Sequence, residues 1–298
     1  MTPEAQAILE SWTAPLGVEA ALCVATLVYV IGWLRLRRAL PSRVSLRRLA
    51  AFLAGIISLW IAIGSPLEAL DDAALSVHMV QHLLLMAVAP PLILLGAPAL
   101  PFLRGLPRAL RSGAGRLLGC RAVQWLGGII TNPAVCWIAA SVALIAWHVP
   151  AAFELALRSN SWHEFEHACF FATSLMFWWP VIQPFPSVAK WPGWSIPPYL
   201  FLGTLPGGAL GAFLAFCDRV LYPSYETGPA MFHRTPLEDQ VFAGALMWVF
   251  GTFVYTLPAV ILTVQLLSGE TAPGRNEKAI GTREPGGRAY ERSQPEVI

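Results

Sequence analysis

The stretch Trp162-His163-Glu164-Phe165-Glu166-His167, taken with Ser76-Val77-His78-Met79-Val80-Gln81-His82, decides how this chain is read. In each, two histidines stand four residues apart at the head of a long apolar run. At about 100° per helical residue, that spacing leaves the two rings only about 40° apart on one face. Each pair is therefore a ready bidentate nitrogen site. Imidazole is the commonest side-chain ligand for zinc, copper, nickel and iron, and one facing hydrocarbon with nothing to bind is costly.

The apolar runs set the class. Hydrophobic residues make up 56% of the 298, charged ones only 13%, and the mean hydropathy is +0.57, far from the balance of a soluble domain. A spanning helix needs about 20 mostly apolar residues. Seven windows qualify: 17–34, 49–65, 77–95, 133–148, 163–182, 197–216 and 240–267. The expected fold is an all-α polytopic membrane protein, a seven-helix transmembrane bundle over 17–267. A short polar lead (1–16) precedes it and a Gly/Pro/charge-rich tail without periodicity (268–298), read as disordered, follows. Long helical runs without alternating ten-residue segments exclude a β-barrel.

Orientation follows from the arginines. Arg35, Arg37, Arg38, Arg43, Arg47 and Arg48 follow the first window, and Arg104, Arg108, Arg111, Arg116 and Arg121 follow the third. With Lys190 and the basic tail, all but Arg158, Arg219 and Arg234 of the 20 basic residues fall on one side. That side is expected to be the cytoplasm, with the amino terminus outside and the carboxyl terminus inside. The net charge of +2 hides this asymmetry and argues for no nucleic acid partner. The lipid bilayer is the partner the sequence demands. On this map His78, His82, His148, His163, His167 and His233 all fall at the outer face.

Other stretches carry narrower expectations. Glu68, Asp71 and Asp72 could attract a cation, though solvated loop carboxylates are the commoner reading. Met86 continues the His78/His82 stripe and would suit copper, though bundle packing is its commoner role. Pro90-Pro91 should kink or end the third helix, and an interfacial amphipathic helix is expected around residues 104–125. The short connection after Trp147-His148-Val149-Pro150 should bring His148 toward His163 and His167. Glu166 is placed to ligate or hydrogen-bond an imidazole. Glu164 points elsewhere. Asp239, at the head of the last window, is a candidate partner for a histidine or, equally, a helix-capping carboxylate. Phe177-Trp178-Trp179-Pro180 with Trp191 and Trp194 reads as an inner aromatic belt, and Pro206-Gly207-Gly208 as a weak point in the sixth helix. The five cysteines (Cys23, Cys120, Cys136, Cys169 and Cys217) form no Cys-x-x-Cys pair.

Taken together, His78-Met-Val-Gln-His82, Pro90-Pro91, Leu94-Leu95-Gly96-Ala97-Pro98, Trp147-His148-x-Pro150, His163-x-x-Glu166-His167, Tyr222-Pro223-x-Tyr225, Asp239-Gln240 and Met247-Trp248 form a set. The set, spanning about residues 75–250, resembles the multi-spanning CtaG family of caa(3)-type cytochrome c oxidase assembly factors. The resemblance implies a multi-pass protein of the bacterial plasma membrane that helps mature a haem-copper oxidase by handling copper at the outer face. Its partners would be oxidase subunits and an outer-face copper donor, and no catalytic turnover is implied.

Two other classes fit the histidines. One is a seven-helix zinc-dependent membrane hydrolase resembling the adiponectin-receptor and ceramidase type, with Glu166 or Asp239 as acid or base. The other is a haem b protein, whose axial histidines usually come from facing helices rather than from i,i+4 pairs. The expected metal ligands are His78, His82, His148, His163 and His167, with Glu166 and Asp239 modulating. His233 should be dispensable.

Overall fold

The computed structural model describes residues 16–39, 44–184, 191–226 and 234–268, and all regular structure among them is helical. Of the expected lead only Leu16 is described, and of the tail only Ser268. His233 lies outside the described residues. The chain runs through α1 (Leu16–Ala39), α2 (Leu46–Gly64), α3 (Pro66–Leu70), α4 (Leu75–Leu83), a π-helical turn (Leu84–Val88), α5 (Ala89–Leu95), α6 (Ala99–Gly105), α7 (Arg108–Gly119) and α8 (Arg121–Ile130). It continues through α9 (Pro133–Trp147), α10 (Pro150–Leu157), α11 (Asn160–Ile182), α12 (Ile196–Phe216) and α13 (Pro236–Leu267).

Five runs are long and apolar enough to cross a membrane: Leu16–Ala39, Leu46–Leu70, Leu75–Leu95, Gly193–Phe216 and Pro236–Leu267. The pair α8 and α9, bent by 65°, makes a sixth if counted as one span. α11 has the length, at 23 residues. His163, Glu164, Glu166 and His167 in its first two turns keep it out of that apolar count.

The third span shows how local chemistry shapes a helix here. Pro90 has no N–H, so the carbonyl of Met86 loses its usual donor four residues on. Trp178 supplies one instead, its Nε1 donating to the Met86 carbonyl at 3.2 Å. The prolines therefore neither end nor break the run. The turn before them widens into a π segment, and the span continues to Leu95. Widened turns of this kind cluster at functional sites, and this one begins two residues after His82.

Two close crossings tie the ends of the chain to the centre. A Cβ on Gly32 would lie 1.7 Å from the Pro101 carbonyl oxygen, and one on Gly105 would lie 1.9 Å from that of Val28. α1 and α6 thus meet backbone to backbone, and the first part of the expected interfacial helix is packed against α1. The amphipathic remainder is split between α7 and α8, with no buried residue in either. α12 and α13 touch in the same way at Gly211 and Gly244. That contact, rather than Pro206-Gly207-Gly208, is the close approach of α12, which runs unbroken through Pro206.

The far end of the bundle from the histidines is an aromatic core. Phe177 stacks on Tyr199 with centroids 4.8 Å apart, and Trp178 on Tyr255 at 5.5 Å. Phe177 and Trp178 are buried among Leu94, Leu200 and Ala259, so they pack the interior instead of forming a belt. Trp191 and Trp194 are exposed. A bundle has room inside for these rings because α12, α11 and α5 converge there, a fact invisible in a linear run of aromatics.

Candidate metal centre

α4 and α11 present their histidine pairs to each other. Within α4 the rings of His78 and His82 are 4.2 Å apart, and within α11 those of His163 and His167 are 4.1 Å apart. Between the helices, His78 lies 5.3 Å from His163 and His82 lies 5.5 Å from His167. His78, His82, His163 and Glu166 each offer one ligand atom, all within 4.8 Å of one another. Glu68, His163 and His167 form a second such group. Both groups include His163.

His148 caps the end of α9 and stands beside His82, its ring 6.2 Å away, outside the tighter group. Its Nδ1 pairs with the Leu144 carbonyl at 2.8 Å. That bond defines Nδ1 as the donor and leaves Nε2 as a free lone pair facing the interior. The connection from His148 to α11 is not a bare loop. It carries α10, whose Phe153 is buried 4.9 Å from the His78 ring.

The carboxylates depart most from expectation. Glu166 is fully buried, with Oε1 3.8 Å from His82 Nε2, so it belongs inside the cluster and not beside it. Asp71 is buried as well, its Oδ2 3.9 Å from His78 Nδ1 and 3.3 Å from His163 Nε2, the latter without hydrogen-bond alignment. Burial first, then the neighbouring Asp72 and Glu68 charges, push the Asp71 carboxyl up to about 8. Glu68 is half-buried and bonded to the Gln81 amide, which also donates to the Ala62 carbonyl. Neither Asp71 nor Glu68 is the solvated loop acid that its surroundings in the sequence suggest. α3 continues the run of α2 past Ser65 and carries Glu68, with Asp71 at its end, to the cluster. Glu164 is exposed.

Asp239 touches no histidine among the described residues. Its carboxylate accepts from the Ser76 backbone N–H at 3.0 Å and from the Ser76 hydroxyl at 2.5 Å. It caps the helix that bears His78 and His82, while its own helix α13 starts on a Thr235/Glu238 capping box. Two tyrosines close the roof: Tyr222 donates to the His148 carbonyl and Tyr225 to the Asp71 carbonyl, each at 3.0 Å. Met86 packs against the apolar cluster around Met79 and Phe170.

Of the features the sequence did not assign to the site, Asp71, Glu68 and the tyrosine contacts matter most. Tyr222 and Tyr225 stood in a motif of unassigned role, and Glu68 and Asp71 were acids that could attract a cation. Asp71 and Glu68 precede a chain reversal that breaks any helical spacing to His78.

What the cluster can do follows from what it leaves unpaired. Both ring nitrogens of His78 and His82, Nε2 of His148, His163 and His167, both Glu166 oxygens and Asp71 Oδ2 are buried without a hydrogen-bond partner. Buried polar atoms are almost always paired, and each unpaired one costs about 1–3 kcal/mol. So many at one point, all of them metal-donor atoms, fit a bound cation.

An uncharacterized protein of Mycobacterium bovis and one of Mycobacterium tuberculosis are each 27% identical over 300 residues, covering 95% of this chain and 42% of the relative. One of Mycobacterium leprae is 27% identical over 268 residues, covering 84% and 38%. The chain thus spans less than half the length of these relatives. No solved structure matches. The family model for the cytochrome c oxidase caa3 assembly factor (Caa3_CtaG) matches residues 27–268, including α4, α11 and every member of the cluster. The chain belongs to the cytochrome c oxidase caa3 assembly factor family.

Proposed function

We propose that this chain holds copper in transit, as cargo and without catalytic turnover, for the maturation of a haem-copper cytochrome c oxidase. The observation that supports it best is the convergence of unpaired imidazole nitrogens and carboxylate oxygens at one end of the bundle. His78, His82, His163 and Glu166 hold the ion, and His167 and His148 stand next to it. Such a nitrogen-rich set prefers Cu(II) to Zn(II) by the Irving–Williams order, and an oxidase assembly factor has a use for copper. The oxidase and a copper donor are the partners this role requires.

The proposed setting is the bacterial plasma membrane, with seven spans: the five apolar runs, the bent α8–α9 pair, and α11. The amino terminus lies outside and the carboxyl terminus in the cytoplasm. In support, the arginine-bearing ends after α1 and in α6 adjoin, Arg35 donating to the Arg104 carbonyl at 2.7 Å, so both basic segments share one side. The buried acids Glu166 and Asp71 beside the rings favour one second reading, a zinc-dependent amidohydrolase.

Metal content of the purified protein, with oxidase activity of a deletion strain under limiting copper, separates the two. Copper in the protein and low oxidase activity in the strain are expected. Normal oxidase activity would sink the assembly reading, and zinc with amidase activity would favour the alternative. For the topology, Cys120 is exposed and should resist a membrane-impermeant thiol reagent in intact cells. Its labelling would reverse the orientation.

A further inference from the structure

Exposure across the cluster is graded. The Glu68 side chain is 35% exposed, His163 13%, Asp71 3%, and His78 and Glu166 fully buried. The contacts run in the same order from rim to interior. Glu68 Oε1 is 4.0 Å from His163 Nδ1, while the other nitrogen of that ring is 3.3 Å from Asp71, which in turn lies 3.9 Å from His78. His163 faces the rim with one nitrogen and the interior with the other.

We propose a second, shallow metal site made of Glu68, His163 and His167, through which a cation such as Cu(II) reaches and leaves the deep site of His78, His82, His163 and Glu166. This rests on the metal-carrier reading above. Two observations carry it beyond that reading. The three shallow donors form their own group within 4.8 Å, and the Nε2 atoms of His163 and His167 are buried without partners, as in the deep group. A fully buried site with no graded approach would trap its ion, because exchanging it would strip every ligand at once. A ring shared by two sites lets ligands be replaced one at a time. Asp71 stands between the two rings as a further oxygen donor on the route, its Oδ2 3.3 Å from His163 Nε2 and 3.9 Å from His78 Nδ1. Gln81 holds Glu68 in place through its amide, so the shallow site is built and not a chance surface acid.

A shallow site on the route acts on rates and not on the final equilibrium. Removing it should slow loading and release by the same factor, on the order of tenfold, and leave their ratio intact. The test uses the full chain in nanodiscs, with Cu(II) loading followed by tryptophan quenching and release by transfer to EDTA. Glu68→Gln, which can still accept from Gln81, is expected to slow both. Glu164→Gln, which removes an exposed neighbouring acid, is expected to slow neither. Faster release with unchanged loading in Glu68→Gln would make Glu68 an ordinary ligand of the final site and overturn the proposal. Equal slowing by Glu164→Gln would reduce it to surface charge. Unchanged rates in Glu68→Gln, with copper retained by the wild type and lost from His82→Ala, would refute the shallow site and spare the carrier reading. A wild-type chain that binds no copper would remove both.

Discussion

The two ends of the bundle are built from the same helices and treat their polar atoms in opposite ways. α11 and the span from Leu75 to Leu95 run through both. At the aromatic end, Tyr199 donates to the Phe177 carbonyl at 2.9 Å, and the Trp178 ring N–H fills the gap left by Pro90. Trp137 Nε1 is the buried atom left over there. At the histidine end, nearly every ring and carboxylate has a donor or acceptor atom to spare. Loose packing does not explain the contrast, since Phe153, Phe170 and Met79 around the histidines are as buried as Phe177 and Trp178. One end is finished by the chain itself, and the other gathers donor atoms that fit a metal ion.

The sharpest way to break this contrast is to damage one end and read both. Phe177→Ala should cost about 3 kcal/mol in reversible unfolding in micelles, the low end for such a deletion, because lipid tails are as apolar as the core and only packing is lost. Copper bound per folded chain should not change. Joint loss of both would mean the two ends are one cooperative structure.

Glu166→Gln should do the reverse. Copper affinity, measured by competition with a chelator, is expected to fall about 10- to 100-fold, while the metal-free protein is no less stable, since an unpaired buried carboxylate costs more to bury than an amide. His78→Ala and His163→Ala should lose copper similarly and fail to restore oxidase activity. If both alanine variants keep wild-type copper and complement fully, the metal site does not exist.

Asp239→Asn should show a smaller effect, about 1 kcal/mol of stability from the weakened cap on Ser76. Its copper affinity should fall less than with Glu166→Gln, because Asp239 positions the helix and touches no ligand ring. Smallest is Tyr225→Phe, which gives up one hydrogen bond to the Asp71 carbonyl, about 0.5–1.5 kcal/mol. It is read by the same unfolding assay.

The site was partly legible in the sequence and partly not. The spacing of four in His78/His82 and in His163/His167 puts each pair on one face, because a helix repeats every 3.6 residues wherever it occurs. Glu166 could be placed near His163 by the same wheel. Its full burial could not, since burial depends on which helix lies opposite. Asp239 was weighed as a histidine partner or a cap, and it caps a helix 163 residues away in the chain, a pairing no local pattern encodes. Asp71 and Glu68 resembled ordinary loop acids because the turn over residues 71–74 erases the helical spacing that would tie them to His78.

By itself, the sequence determined the all-helical membrane class and the face shared by each histidine pair. These are properties of hydropathy and helical period, both of which act over one or two turns. The tertiary structure alone decided that α4 and α11 face each other with their pairs in register, that Glu166, Asp71 and Glu68 turn inward, and that the proline-rich third span stays continuous. Those outcomes depend on which surfaces pack together and which carbonyls find new donors. That competition among distant segments is settled only when the whole bundle closes.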